Sequence, residues 1–353
     1  MKKLTRQNLI RILIYFIAIV LISAVLWIIV LFFGPLGKKN NETGDLIIHW
    51  GESFTSVANN LEARGIIASS KNLYLVSRIM GNTLDIKAGK YTLPLNSSNY
   101  SVMQTITGGQ QSFIKVTIPE GLTAKRISAL ISDTLQLDPQ KFSSLITDTT
   151  FIHGLHIAYP INPSLEGYLY PETYNFTWGS NEKQVITQLV NQFFKNVTDS
   201  LIEQGKYYHF DLNDMITLAS IIEGEAVIES EMPIISSVYH NRLKQGMLLQ
   251  ADPTIQYIIP DGPRRILNRD LEMESPYNTY IHPGLPPGPI NNPGYKAICA
   301  AVFPDTTDFL YFVADGKGGH IFSRTLSEHN QAKKEFNKIR RQVAREKRMG
   351  GVK

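Results

Sequence analysis

An apolar run without a single charge, from Ile12 to Phe33, constrains this 353-residue chain more than any other feature. A helix rising about 1.5 Å per residue over that run is long enough to cross ~30 Å of hydrocarbon. Lys2, Lys3, Arg6 and Arg11 precede it and favour a cytoplasmic N-terminus, while Lys38 and Lys39 behind it weaken the asymmetry slightly. The run closes on Leu31-Phe32-Phe33-Gly34-Pro35 with no Ala-x-Ala pattern, so it reads as a retained membrane span and not as a cleaved signal. The expected plan is a cytoplasmic segment 1–11, a transmembrane helix 12–33 and a polar linker 34–44, with all later residues on the outer face of the cytoplasmic membrane.

The rest of the chain is long enough for one large or two modest domains. The formal charge of +4 has local excess only before the span and in the tail from Lys333 to Arg348. Neither cluster looks like a nucleic-acid face, and the tail reads as a basic terminal helix with Phe336 and Ile339 turned inward. Cys299 is the only cysteine, which excludes an intrachain disulfide. In the small apolar face Ala297-Ile298-Cys299-Ala300-Ala301-Val302 it reads as a buried structural thiol.

Asp45 to Trp50 is strand-like, and Ser53 stands where a helix N-cap is needed before Phe54 to Leu61. A second helix over Ser70 to Met80 and a short strand over Lys90 to Leu93 complete a small α+β unit. Its Gly51-Glu52-Ser53-x-x-x-Val57-Ala58 start resembles that of LysM-type glycan-binding modules. Alternation from Ile114 to Ile118 predicts a strand, followed by a turn and a helix over about 123–134. Apolar spacing from Val185 to Gln204 predicts one amphipathic helix. The Pro- and Gly-rich stretch from Pro260 to Gly294 predicts a long ordered loop, and Leu310 to Ala314 a buried strand.

The chemistry is expected at Leu218-Ala219-Ser220-Ile221-Ile222-Glu223-Gly224-Glu225-Ala226. Helical spacing aligns Ile216, Ala219 and Glu223 on one stripe, so the Glu223 carboxyl is expected to be partly buried, with its pKa raised toward that of a general acid. Gly224 costs the helix ~0.8–1 kcal/mol relative to Ala, which makes sense if something bulky approaches the backbone there. The rival reading is a solvated glutamate in an acidic surface patch with Glu225, Glu229 and Glu231. Three polar clusters accompany this helix, over residues 164–174, 239–257 and 275–290. Their tyrosines, amides and carboxylates suit sugars, which present apolar CH faces and many hydroxyls.

In this order the clusters resemble the YceG/MltG family of membrane-anchored endolytic murein transglycosylases. The sharpest parts are Glu-Gly-Tyr-Leu-Tyr-Pro-Glu-Thr-Tyr at 166–174, Ala-Ser-Ile-Ile-Glu at 219–223, Leu-Gln-Ala-Asp-Pro-Thr at 249–254 and Gly-Leu-Pro-Pro-Gly-Pro-Ile at 284–290. The resemblance places the catalytic glutamate on Glu223. Gly224 stands where many members carry a basic residue. It also implies an α+β architecture with a LysM-like module over 45–112, a YceG-like catalytic domain over 113–344 and a basic tail over 345–353. The implied substrate is peptidoglycan glycan strands, with cell-wall synthases as further partners and no nucleic acid or cofactor. Glu166 is the candidate second carboxylate, and Asn241, Gln250, Asp252, Tyr257 and Asn278 are candidate lining groups, each with a turn-forming or structural alternative. Arg242 reads as a buried ion-pair partner.

Other classes fit less well. His240, His282, His320 and His329 show no His-Glu-x-x-His or similar ligand spacing, so no metal is expected. A serine hydrolase lacks its Gly-x-Ser-x-Gly elbow. A noncatalytic glycan-binding scaffold for cell-wall synthesis and a lysozyme-like hydrolase stay open as alternatives.

Overall fold

A computed structural model describes residues 6–34, 42–108, 113–155, 164–260 and 262–350. Most of the expected linker and the last residues of the expected tail lie outside them. The chain is mixed α and β and divides into two compact units, Met1–Lys115 with Asn175–Asn181, and Val116–Tyr174 with Glu182–Lys353.

The first unit opens with α1 (Arg6–Phe33), the one described helix long and apolar enough to cross a membrane. After it come β1 (Thr43–Ile48), α2 (Phe54–Ala63), α3 (Ser70–Met80), β2 (Gly89–Pro94) and α4 (Asn99–Gly108). Period-two alternation turns Leu46 and Ile48 of β1, and Tyr91 and Leu93 of β2, into the core, and the two strands pair antiparallel from Thr43↔Pro94 to Ile48↔Gly89. Ser53 caps α2 by accepting the Ser56 N–H at 3.2 Å. Phe54, Val57, Ala58 and Leu61 then fall on one buried stripe. The end of α1 joins this core. Leu31 is buried in it, and the Asn99 side chain donates to the Leu31 carbonyl at 2.8 Å, satisfying a terminal helix acceptor. Residues 175–181 complete the unit, with Trp50 donating to the Gly179 carbonyl at 3.0 Å and Lys90 over the Trp178 ring.

β3 (Phe113–Thr117), paired with β4 (Thr173–Thr177), leads toward the second unit. There follow α5 (Ala124–Leu135), α6 (Pro139–Ile146), α7 (Thr149–Gly154), α8 (Glu182–Asn196), α9 (Asp199–Tyr207), α10 (Leu212–Glu225), α11 (Met232–Lys244), α12 (Asp252–Ile258) and α13 (Tyr295–Val302). The antiparallel pair β5 (Tyr311–Ala314) and β6 (His320–Ser323) precedes the terminal α14 (Leu326–Gly350). The organising element is α10. A capping box between Asp211 and Asp214 starts it, and every residue from Met215 to Ile222 is buried, so it runs through the core with α13 packed along it.

Several expectations need correction. The helix read over 185–204 is two helices, because Thr198 adopts extended backbone and starts α9 while Val197 packs into the core. All four residues of β5 are half-buried and not buried. Cys299 is likewise half-buried, beside Tyr295 one helical turn away. Phe336 is half-buried over Gly316, but Ile339, which also touches Gly316, stays 37% exposed. Arg242 forms no ion pair among the described residues. Instead it donates to the carbonyls of Leu310 at 2.6 Å and Leu249 at 2.8 Å, tying α11 to its C-terminal loop and to the residue before β5.

Candidate active site

The fully buried run of α10 ends at Ile222, and the next three residues are half-buried or exposed. Glu223 is half-buried. Its Oε2 accepts the Gly294 N–H at 3.0 Å, and its Cγ packs against Gly121. Burial raises its pKa above the ordinary carboxylate value, Glu120 and Glu229 push the same way, and the Gly294 N–H opposes them. The carboxyl is thus a fixed, protonatable group.

Beside it lies a cavity of about 860 Å³ within the second unit, in the size range of small-molecule sites, ~300–1,000 Å³. Its walls include Lys125 and Arg126 of α5, Glu166, Gly224 and Glu225 at the end of α10, and Asp252 and Tyr257 of α12. Glu223 is not one of the lining side chains. It borders the cavity through its neighbours Gly121 and Gly224, which do line it.

The bulky group that approaches Gly224 is Pro253. A Cβ at Gly224 would come within 2.7 Å of Pro253 Cβ and 2.9 Å of its Cγ. Alanine there gains ~1 kcal/mol of helix propensity but overpacks a contact at a cost of ~1–3 kcal/mol. Gly224→Ala is therefore expected to lower stability by about 1 kcal/mol and to slow turnover by shifting Pro253 and Asp252, as denaturant unfolding and an activity assay would record. Equal or higher stability would mean that Pro253 yields freely.

Of the sequence-predicted residues, Glu166, Asp252 and Tyr257 meet at the cavity. Tyr257 packs against Tyr277 with ring centroids 5.0 Å apart, and Asp252 Oδ1 accepts the Tyr280 hydroxyl at 2.5 Å. Asn241, Gln250 and Asn278 do not line it. The Asn241 amide donates to the carbonyls of Thr307 and Phe309. Asn278, fully buried, donates to Leu271 and Met273 carbonyls and accepts the Tyr280 N–H, stapling its own loop. Gln250 is exposed, with a positive φ of 49°, and its N–H donates to the Thr279 carbonyl. No group of three His, Cys, Asp or Glu side chains suited to a metal occurs among the described residues.

Glu166 is buried and accepts two hydrogen bonds, from the Ala124 N–H at 2.8 Å and from the Asn292 amide at 3.0 Å. Burial outweighs both and pushes its pKa up to about 7. The folded protein then holds this proton more tightly than the unfolded chain, so Glu166 makes stability fall as pH rises from about 4.5 to about 7. Glu166→Gln is expected to flatten that part of the melting-temperature profile. An unchanged slope would show that Glu166 titrates as an ordinary carboxyl.

The segment Asn291-Asn292-Pro293-Gly294, which directly follows the 284–290 motif, is not among the sequence candidates, and it acts together with Ile290. It fastens the C-terminal end of α10. Ser220 Oγ accepts the Ile290 N–H at 3.0 Å, and the Asn291 amide donates to the Ser220 carbonyl at 2.8 Å. Asn292 joins three segments, accepting the Leu169 N–H at 2.8 Å and donating to the Leu122 carbonyl at 2.9 Å as well as to Glu166.

Residues 46–335 match the YceG-like family. A Bacillus subtilis (strain 168) protein named endolytic murein transglycosylase is 33% identical over 314 residues, covering 86% of this chain and 87% of that one. A namesake from Streptococcus pneumoniae serotype 2 is 26% identical over 335 residues, which cover 85% of this chain and 60% of the longer relative. Among solved structures, a YceG-like protein from Listeria monocytogenes superposes with a TM-score of 0.57 at 31% identity, over 83% of this chain and 99% of its own. The chain belongs to the YceG-like family.

Proposed function

We propose that the chain is an endolytic murein transglycosylase that cuts MurNAc-GlcNAc linkages within nascent glycan strands and leaves 1,6-anhydroMurNAc ends. The observation that carries this reading is Glu223, a half-buried carboxyl fixed by the Gly294 N–H at the edge of the cavity, where the resemblance of Ala-Ser-Ile-Ile-Glu at 219–223 puts the family's catalytic glutamate. Protonated, it donates to the bridging oxygen as the bond to MurNAc C1 breaks. The resulting carboxylate then takes the proton of the C6 hydroxyl of the same sugar as that oxygen closes onto C1. No water is consumed, and the acid is regenerated. Attack within one ring gives the step a high effective concentration.

Glu166 and Asp252 orient hydroxyls from the cavity wall, and Tyr257 offers a sugar its aromatic face. Residues 45–112 of the first unit are a LysM-like glycan-binding module, a reading supported by their strand-helix-helix-strand order and antiparallel strand pair. The helix α1 anchors the chain in the cytoplasmic membrane with its basic N-terminus inside and the residues after it outside, where strand-making synthases are natural partners.

One observation favours a second reading, lysozyme-like hydrolysis. Glu166 is a further carboxyl with a pKa near neutrality in the wall, able to hold an attacking water. Cleavage in H₂¹⁸O separates the two. Transglycosylation leaves the new ends unlabelled and one water lighter, whereas labelled reducing ends would mean hydrolysis.

A further inference from the structure

Glu225, the last residue of α10, is an acid in the cavity wall that cleavage at Glu223 does not use. Two residues along a helix turn it about 200° away from Glu223, so the two carboxyls serve different sides of the helix end. Its Oε1 accepts the Tyr239 hydroxyl at 2.9 Å, and the Asp252 backbone N–H also bonds to it. Burial pushes its pKa up to about 7, the Asp252 carboxyl adds to the rise, and Tyr239 and Arg242 oppose it. The groups that face it are Tyr239 and Arg242 from α11, Asp252 from α12 and Tyr280 from the following loop.

Glu225 lines the cavity and is the acceptor in both of these hydrogen bonds, so a neutral carboxyl there also carries a proton that it can donate. Asp252 beside it receives the Tyr280 hydroxyl on Oδ1. We propose that Glu225, as a protonated carboxyl, donates a hydrogen bond from the cavity wall to an acceptor oxygen of the bound glycan, such as an acetamido carbonyl or a sugar hydroxyl. This assignment rests on the reading of the cavity as a glycan site. Loss of the proton turns the donor into an acceptor and sets a second anion beside Asp252, so glycan binding weakens as pH rises through about 7.

The test measures the affinity of the full-length chain in detergent for uncrosslinked glycan strands at about pH 6 and about pH 8. Glu223→Gln serves as the parent so that no strand is cut. The parent is expected to bind about three- to tenfold more weakly at the higher pH, the worth of one hydrogen bond. Adding Glu225→Gln, whose amide is a donor at both pH values and still accepts from Tyr239, removes most of that dependence. Adding Glu225→Ala weakens binding at both pH values by about the same factor, with melting temperatures reporting folding. Full pH dependence in the Gln variant, or an Ala variant that folds and binds like its parent, overturns the assignment. A parent that binds strands at neither pH, together with a wild type that leaves them uncut, instead overturns the glycan reading and this assignment with it.

Discussion

Glu223→Gln is expected to lower strand cleavage by about 10²–10⁴-fold, the usual worth of a positioned general acid and base. The amide keeps the shape of the side chain and can still accept the Gly294 N–H, but it has no proton to transfer. Folding is expected to be preserved. Burial, Glu120 and Glu229 all disfavour a charge at this position, so a neutral amide leaves the melting temperature at neutral pH unchanged or slightly raised. A folded Gln variant that cleaves within about tenfold of wild type would remove Glu223 from the chemistry. The cavity wall would then direct attention to Glu166 and Glu225.

The second large effect is expected at a residue that touches no reacting atom. Asn292→Ala removes side-chain bonds to the Leu169 N–H, the Leu122 carbonyl and Glu166. The Leu122 carbonyl keeps the Asn292 backbone N–H, and Glu166 keeps the Ala124 N–H, but the Leu169 N–H loses its partner in the interior. At ~1–3 kcal/mol per unsatisfied buried group, the loss is expected to be about 3 kcal/mol. Domains are stable by only ~5–15 kcal/mol, so denaturant unfolding would register it clearly. The Glu166 pKa should rise further still, because the Asn292 amide is one of the donors holding it down. A loss under about 1 kcal/mol would mean that water replaces the missing amide.

Local signals made much of the fold legible. The cap at Ser53 and the helix at Ser70–Met80 follow from spacing and N-cap chemistry that act within a few residues, whereas α10 is buried on every face from Met215 to Ile222. The break between α8 and α9 was hidden because Val197 and Leu201 continue the apolar spacing across it, while the extended backbone of Thr198 divides the helices. The membership of residues 175–181 in the first unit was hidden too, since it depends on contacts with Trp50 and Lys90 far away in the chain.

The site divides in the same way. Glu166, Asp252 and Tyr257 converge on the cavity as their motifs suggest. Asn241 and Asn278 have the chemistry of sugar-binding amides, but nearby loops left backbone carbonyls in need of donors and took them. Asn291, Asn292 and Gly294 stand in a stretch that reads as turn chemistry. Their roles are hydrogen bonds to Ser220, Glu166 and Glu223, distant in sequence, and helical or strand periodicity carries no trace of such bonds.

The proposed water-free cleavage at Glu223 is read out by mass spectrometry of uncrosslinked glycan strands incubated with the chain and with its Glu223→Gln variant. New internal cuts ending in 1,6-anhydroMurNAc with the wild type, and none with the variant, are the predicted result. Anhydro ends formed equally by the folded variant, or strands bound by the wild type but left intact, would contradict it.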